Sequence, residues 1–579
     1  MQTSEVPEAS TRLEGFHDFA QTIIHEWKVP GVAIAIVKDN EVIFSEGIGL
    51  RDVEQHLEMT PQTLMPIGSC TKAFTTAAMA LLVDAGKLDW DTPVRHYLPT
   101  FKLYDAVATE RLTPRDLVTH RSGLPRHDMM WYNNDCTRQE LFDRLQYLEP
   151  SKDIRTTWQY QNLMYMTAGY LVGEIAGQSW EDFVQQQLFD QLDMKASNFS
   201  VIASQQLPDF ALPYAKKKGE TQRIPFYEDK WAVAPAGAIV SSVTEMSNWI
   251  SLHLNNGKYG DTRIVSQGQI DELHAPQMVM PTVFKFAELP MSSYAPGWDV
   301  GPYRGHMRLQ HGGNIDGFSA LTTLLPQEKI GIMVLTNLSG NPVPSIVTLN
   351  AIDRLLGMEE VSWHDRFTTF YKEIDDATEK GKEKTASDRV PDTHPSHTLA
   401  DYVGEYKHPG YGTMTVDLEH DELQATFHSM VFPLKHYHYD IFECNAERFD
   451  IVLKLAFTTN VKGDIESLSV PLEPEVRDIV FKRVARKEMQ EKSFLEQFTG
   501  EYEVIGITIV VALKNEHTLS VTVPQQPVYE LEPYKGTAFR FKGLTGYSIE
   551  FKRNADGIVT EAEFEQPFGV VIAKKKIES

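Results

Sequence analysis

Cysteine is scarce in this chain: Cys70, Cys136 and Cys444 are the only three in 579 residues. An odd, widely spaced set builds no disulfide framework. It fits a reducing compartment, and it equally fits secreted enzymes that do without disulfides. Long apolar runs are missing too. Nowhere do 18 apolar residues follow one another, which argues against a transmembrane helix. The stretch from Met1 to Gln21 is polar and acidic, without the basic start and apolar middle of a secretory leader, so the expected location is cytoplasmic. Positive charge is in deficit: 55 Lys and Arg stand against 80 Asp and Glu, a net charge of −25. A nucleic-acid binder needs a basic face to displace counterions, so that class is set aside. There is no G-x-S-x-G elbow, no phosphate-binding loop, no dinucleotide fingerprint and no HExxH. No cofactor and no metal are therefore expected. His436 and His438 lie on one side of an expected strand, but no third ligand is evident, and a solvated strand face is the better reading.

What is present describes a packed protein: 42% hydrophobic and 10% aromatic residues. A chain this long exceeds one hydrophobic core and divides into domains. Leu13, Phe16, Phe19, Ile23 and Ile24 recur at helical spacing. Val32–Val37 and Val42–Phe44, joined through Lys38-Asp39-Asn40, read as a β-hairpin. Ser69–Ala85 reads as a helix that is apolar on nearly every face and so buried. Further helices are expected over Trp158–Ile175 and over Ser242–Leu254, the latter opening on a capping box, Ser242 to Glu245. Ile330–Leu335 reads as a buried strand. Residues 366–398 are charged and then proline-bearing, as in a solvated linker that starts as a helix.

Beyond the linker the sequence repeats. Leu399 to Tyr406 (LADYVGEY) matches Leu495 to Tyr502 (LEQFTGEY), 96 residues later. Each copy continues in short alternating runs and closes on an apolar run with basic residues, Ile479 to Arg483 and Val570 to Lys574. Two small antiparallel barrels follow from that pattern. The expected division is an α/β (α+β) domain over 1–365, the linker, and all-β barrels over 399–488 and 489–579.

Three short patterns carry chemistry. Ser69-Cys70-Thr71-Lys72 places a lysine one helical turn after a serine, and Ser69 is the only serine in the chain followed by lysine three residues on. A serine hydroxyl needs a base to take its proton, and a lysine serves when burial favours its neutral form. A helix N-terminus also presents backbone N–H groups to an oxyanion. Cys70 points about 100° away along such a helix and reads as a buried structural thiol. Tyr160-Gln161-Asn162 offers a phenol to relay a proton and an amide to hold a carbonyl. His311-Gly312-Gly313 offers a strand against which a substrate backbone can lie closely. Each pattern alone is weak.

In this order and at these separations the three resemble the S-x-x-K, Y-x-N and H-x-G (or K-T-G) elements of the serine β-lactamase and penicillin-binding-protein superfamily. The likeness is greatest to its class C-like branch of D-aminopeptidases, esterases and related peptidases. Val29 to Val32, Leu117 to Pro125, Pro235-Ala236-Gly237 with Trp249, and Tyr294 to Trp298 agree with it, so the resemblance covers about residues 10–357. It implies a β-lactamase-like catalytic domain with Ser69 as acylated nucleophile. Lys72 and Tyr160 would share the general base and acid work. Asn162, His311, Gly312, Gly313 and Asn314 would bind substrate, with the N–H groups of Ser69 and Asn314 forming the oxyanion hole; Asn314 departs from the small residue usual there.

The resemblance extends to the barrels, which are similar to the lipocalin-like domains of D-aminopeptidases. There they cover the cleft and restrict substrate length; here they could equally mediate contacts in a homo-oligomer. Histidine replaces the lysine of classical β-lactamases in the third element. Its partial charge at neutral pH holds a carboxylate less well, unless Arg304 or Arg308 supplies the charge. This tilts the expectation toward a serine hydrolase of short peptides or amides, D-residue-containing ones among them. Small esters and β-lactams are the alternatives. A catalytically dead receptor is the non-enzyme alternative, and the intact set of Ser69, Lys72, Tyr160 and Asn162 speaks against it.

Overall fold

A computed structural model describes residues 10–217, 219–227, 232–281, 286–446 and 451–576. The chain folds into two compact units. One takes in the chain up to Asp388 together with Leu472–Arg477; the other holds Arg389–Pro471 and Asp478–Ser579.

The first unit is built on a nine-stranded antiparallel sheet. Its strands are β1 (Gly31–Lys38), β2 (Glu41–Asp52), β3 (Leu57–Glu58), β4 (Met278–Met280), β5 (Ser292–Ala295), β6 (Trp298–Tyr303), β7 (His306–Ile315), β8 (Phe318–Leu325) and β9 (Ile330–Thr336). Their spatial order is β4-β5-β6-β7-β8-β9-β1-β2-β3. The β1–β2 hairpin turns at Asp39 and Asn40, both with positive φ (50° and 69°), the conformation a two-residue hairpin turn requires. Because β1 pairs with β9, with Ile34 opposite Val334, the two ends of the domain sequence meet in mid-sheet.

Both faces of that central pair are covered, which is why β1 reads as a continuous apolar run. On one face lie α1 (Phe16–Glu26) and α5 (Val343–Leu355), whose Ile23, Ile346 and Ile352 share a core with Ile34 and Val334. On the other lies α4 (Val243–Leu254). Its Ile250 sits where a Cβ on Gly331 would come within 2.1 Å. Helices α2 (Thr71–Asp84) and α3 (Asn162–Ala176) complete the layer that bears the site.

Two expected helices differ in detail. The one expected from Trp158 starts at Asn162, because Gln161 takes the N-cap and its side-chain oxygen accepts from the Leu163 amide (2.7 Å). Trp158 to Tyr160 stay outside the helix. Ser242 caps α4 as expected, but Glu245 does not close the box. Its carboxylate accepts from the amides of Ala196 and Ser197 instead, both at 2.8 Å. The charged stretch after residue 362 is helix α6 (Trp363–Ser387).

The second unit consists of two closed eight-stranded antiparallel barrels, running from Gly404–His408 to Ile479–Val484 and from Gly500–Val504 to Gly569–Lys575. The repeated sequence is one structural device used twice. Tyr406 and Tyr502 are fully buried, and each hydroxyl donates to the carbonyl four residues earlier, of Tyr402 (2.7 Å) and Phe498 (2.8 Å). In each copy a basic side chain from the closing strand crosses the glycine, Arg483 at Gly404 and Lys575 at Gly500. The guanidinium carbon and the ammonium then lie 5.8 Å from the respective tyrosine ring centroids. No described helix is long and apolar enough to cross a membrane.

Candidate active site

Ser69 sits in the single helical turn Gly68–Cys70 that leads into α2. Two glycines let this turn press against β7. Gly68 has φ +51°, and a Cβ there would lie 3.0 Å from the Asn314 amide nitrogen. A Cβ on Gly313 would lie 1.9 Å from the Ile67 carbonyl oxygen, a backbone collision with no side chain to yield. The two-glycine pattern is thus the condition for bringing the Asn314 N–H beside the serine turn. The Cys70 thiol points the other way, to the His311 carbonyl (3.1 Å), and burial raises its pKa to about 11.

Lys72 is completely buried. Its Nζ lies 3.0 Å from Ser69 Oγ, 2.8 Å from Asn162 Oδ1 and 2.8 Å from the Ala236 carbonyl oxygen. The last two partners are acceptors only. A neutral amine satisfies all three contacts: two N–H bonds go to the oxygens, and the lone pair is left for the serine proton. Burial holds the amine well below its ordinary pKa of 10.5, the Arg126 charge pushes it the same way, and Asp128 opposes.

Tyr160 stacks in the same pocket. Its ring centroid is 4.7 Å from Lys72 Nζ, 5.0 Å from the Arg126 guanidinium carbon and 4.3 Å from the His120 ring. Burial raises the phenol above its ordinary 10, although a hydrogen bond with the Ser69 hydroxyl and the Arg126 charge act against it, so it stays protonated at neutral pH. Asn162, the first residue of α3, spans between Lys72 and Asp128, donating from Nδ2 to Asp128 Oδ1 at 3.2 Å.

His311 is uncharged. Its Nδ1–H donates to the Gly312 carbonyl (2.7 Å), which leaves Nε2 to accept from the Tyr294 hydroxyl (2.8 Å). Burial lowers its pKa to about 3. The partial charge expected from the sequence is absent at neutral pH. Of the two arginines named as substitutes, Arg304 is paired with Asp353 at 2.8 Å. Asn314 turns its side chain away to accept from Ser319 Oγ (2.8 Å) and the Gly340 amide (3.0 Å).

Ser69, Tyr160, His311, Gly312, Gly313 and Asn314 all line one cleft of about 450 Å³, with Lys72 and Asn162 directly behind it. Three further residues at the site had no role in the sequence reading. His120, in the left-handed conformation (φ 56°), accepts from the Gln161 amide (3.0 Å) and so fixes the turn that carries Tyr160 and Asn162. Arg126 lines the cleft and pairs with Asp128 at 2.6 Å. For His120 the signal lay in the stretch from Leu117 to Pro125, noted only as agreeing with the family; Arg126 and Asp128 follow that stretch and carried none. In the same unit, Glu473 accepts from the His127 amide (2.7 Å) and Glu475 from Gln159 Nε2 (2.6 Å). Among the described residues no cluster of side chains could hold a metal ion.

The sequence profile of the beta-lactamase family matches residues 19–357, and that of a domain of unknown function (DUF3471) matches 388–483. The unguisins hydrolase ungD of Aspergillus violaceofuscus is 29% identical over 457 residues, covering 72% of this chain and 79% of that protein. Protein flp of Staphylococcus aureus strain MW2 is 27% identical over 328 residues, 55% of this chain and 62% of its own. The octameric penicillin-binding protein homologue from Pyrococcus abyssi superposes with a TM-score of 0.53 at 23% identity, over 81% of this chain and all of that one, a likeness of fold. With the family profile spanning more than half its length, the chain belongs to the beta-lactamase family.

Proposed function

We propose that this serine hydrolase cleaves short peptides or amides, D-residue-containing ones among them, through an acyl-enzyme on Ser69. The observation that carries the reading is the buried Lys72 amine 3.0 Å from Ser69 Oγ, with its two remaining contacts made to acceptors. Lys72 takes the hydroxyl proton as Oγ bonds to the substrate carbonyl carbon. The N–H groups of Ser69 and Asn314 receive the oxyanion. Collapse breaks the C–N bond, and the leaving nitrogen takes a proton relayed from Lys72 through the Tyr160 phenol. Water then attacks the ester carbonyl and gives its proton to Lys72; as the acyl–Oγ bond breaks, Lys72 returns that proton to Ser69 Oγ and the acid leaves.

The assignment of base to Lys72 and relay to Tyr160 follows from the opposite directions in which burial moves their pKa values. The name of the Aspergillus relatives, unguisins hydrolase, supports hydrolysis. The neutral His311 disfavours recognition of a terminal carboxylate at the third element, and with it efficient β-lactamase action. Assembly into a homo-oligomer through the barrels is part of the same proposal. Light scattering on the intact protein tests it, and a strictly monomeric mass refutes it.

The hydrolase test is covalent labelling by a fluorophosphonate, expected for the wild type and absent in Ser69→Ala. Labelling that survives the substitution refutes the reading. D-alanine p-nitroanilide, p-nitrophenyl butyrate and nitrocefin then rank amide, ester and β-lactam, with the anilide expected to be turned over.

A further inference from the structure

The cleft does not end on the face of the sheet that bears His311. The β6–β7 pairing runs from Tyr303 opposite His306 to Asp299 opposite Gln310 and stops there. Past Gln310 no described strand pairs with the β6 side of β7, which is a free edge among the described residues, and Gly312 puts no side chain across it. A Cβ there would meet only the Ala320 carbonyl oxygen, at 3.8 Å. Alternate residues of a strand face opposite ways. The cleft is lined by His311 and Gly313 from one face and by Gln310 and Leu321 from the other, so it rounds the edge.

On that second face it adjoins a cavity of about 120 Å³, with which it shares Met280, Asp299, Gln310, Leu321, Ser345 and Phe367. Arg308, two residues before Gln310 and on the same face, lines this cavity. It is 7% exposed, and its Nε has no hydrogen-bond partner among the described residues. Thr348, on α5, also lines the cavity and its buried hydroxyl is likewise unpartnered. Asp299 attracts the guanidinium from a distance, but its carboxylate is engaged by the Ser292 hydroxyl and by Gln310 Nε2 (3.3 Å). A buried guanidinium without a carboxylate is a costly arrangement to keep, and its planar fork of donors matches a carboxylate in two parallel hydrogen bonds.

We propose that this cavity is a carboxylate subsite: a substrate held at Ser69 passes the free edge at Gly312 and places a carboxylate against Arg308, with the Thr348 hydroxyl as a second donor. The space amounts to on the order of four water volumes, room for a carboxylate on a short alkyl stem. The inference rests on the hydrolase reading and narrows its substrate class: among amides and esters, those that carry a free carboxylate are preferred. It also returns to the site the positive charge that the third element lacks, on the far side of the strand.

Two measurements test it. The first compares kcat/KM within matched ester pairs, one carboxylated on the acyl group (mono-4-nitrophenyl adipate against 4-nitrophenyl hexanoate) and one on the leaving group (3-acetoxybenzoate against phenyl acetate). The wild type is expected to prefer the acid in at least one pair. Arg308→Met is expected to cut that preference at least about tenfold, as loss of a charge-assisted hydrogen bond does, and Arg308→Lys to restore part of it. The second needs no turnover. In Ser69→Ala protein, calorimetry is expected to show glutarate binding that the added Arg308→Met removes. Wild-type indifference to the carboxylate in both pairs, an unchanged preference in Arg308→Met, or glutarate binding that is absent or insensitive to Arg308 overturns the subsite. Failure of the hydrolase reading shows differently, as no ester turnover and no phosphonate label while glutarate binding still depends on Arg308.

Discussion

If Lys72 is neutral in the folded protein, it must release a proton on folding, and that release is measurable as stability. In the unfolded chain the amine is charged below its ordinary 10.5; in the fold, burial and the Arg126 charge hold it well below that value. Between the two values the unfolded state carries one more proton, so stability from this group is complete above pH 10.5 and is lost as pH falls. The slope is about 1.4 kcal/mol per pH unit. Lys72→Met removes the titration and leaves an apolar side chain in the same buried place. It also removes the hydrogen bonds to Asn162 and Ala236, but that loss is independent of pH. The difference in unfolding free energy between variant and wild type should therefore move in the variant's favour as pH falls from 9 to 7, at up to about 1.4 kcal/mol per unit, whatever its offset. All nine tryptophans precede Asp388, so tryptophan fluorescence in urea reports the catalytic unit alone. A difference that stays constant over that range means Lys72 is charged in the fold, and the mechanism loses its base.

Removing the relay in Tyr160→Phe should reduce anilide turnover by about 10²–10³-fold and p-nitrophenyl ester turnover far less, because nitrophenolate needs no proton to leave; equal losses on both substrates refute the relay. Gly313→Ala should abolish phosphonate labelling and lower the unfolding temperature of the catalytic unit, since its Cβ would meet the Ile67 carbonyl at 1.9 Å; normal labelling would show that the serine turn is not held against β7. The pH profile of kcat/KM should show no inflection near 6.5 from His311, whose pKa is about 3; an inflection there that His311→Gln removes would show a charged third element. Tyr406→Phe and Tyr502→Phe should each destabilise the barrel unit by about 1 kcal/mol and leave hydrolysis unaltered, as read by hydrogen exchange and ester turnover.

Much of this protein was legible before folding was considered. The β1–β2 hairpin, the buried helix after Ser69 and the eight-residue repeat are local signals, fixed by turn chemistry, periodicity and recurrence over a few residues. The serine and the lysine are one helical turn apart, so their meeting is a property of backbone geometry alone. Tertiary structure decided what local spacing does not contain. Asp128 and Arg126 reach Asn162 and Tyr160 through a loop whose sequence carries no periodicity, and Glu245 left its capping box because two amides from a distant loop came within reach. Whether Lys72 and His311 carry charge depends on how completely other segments bury them, and desolvation is a property of the assembled interior. The sequence could name Arg304 and Arg308 as stand-ins for the missing charge, but only the fold paired the first with Asp353 and left the second facing a cavity behind a free strand edge.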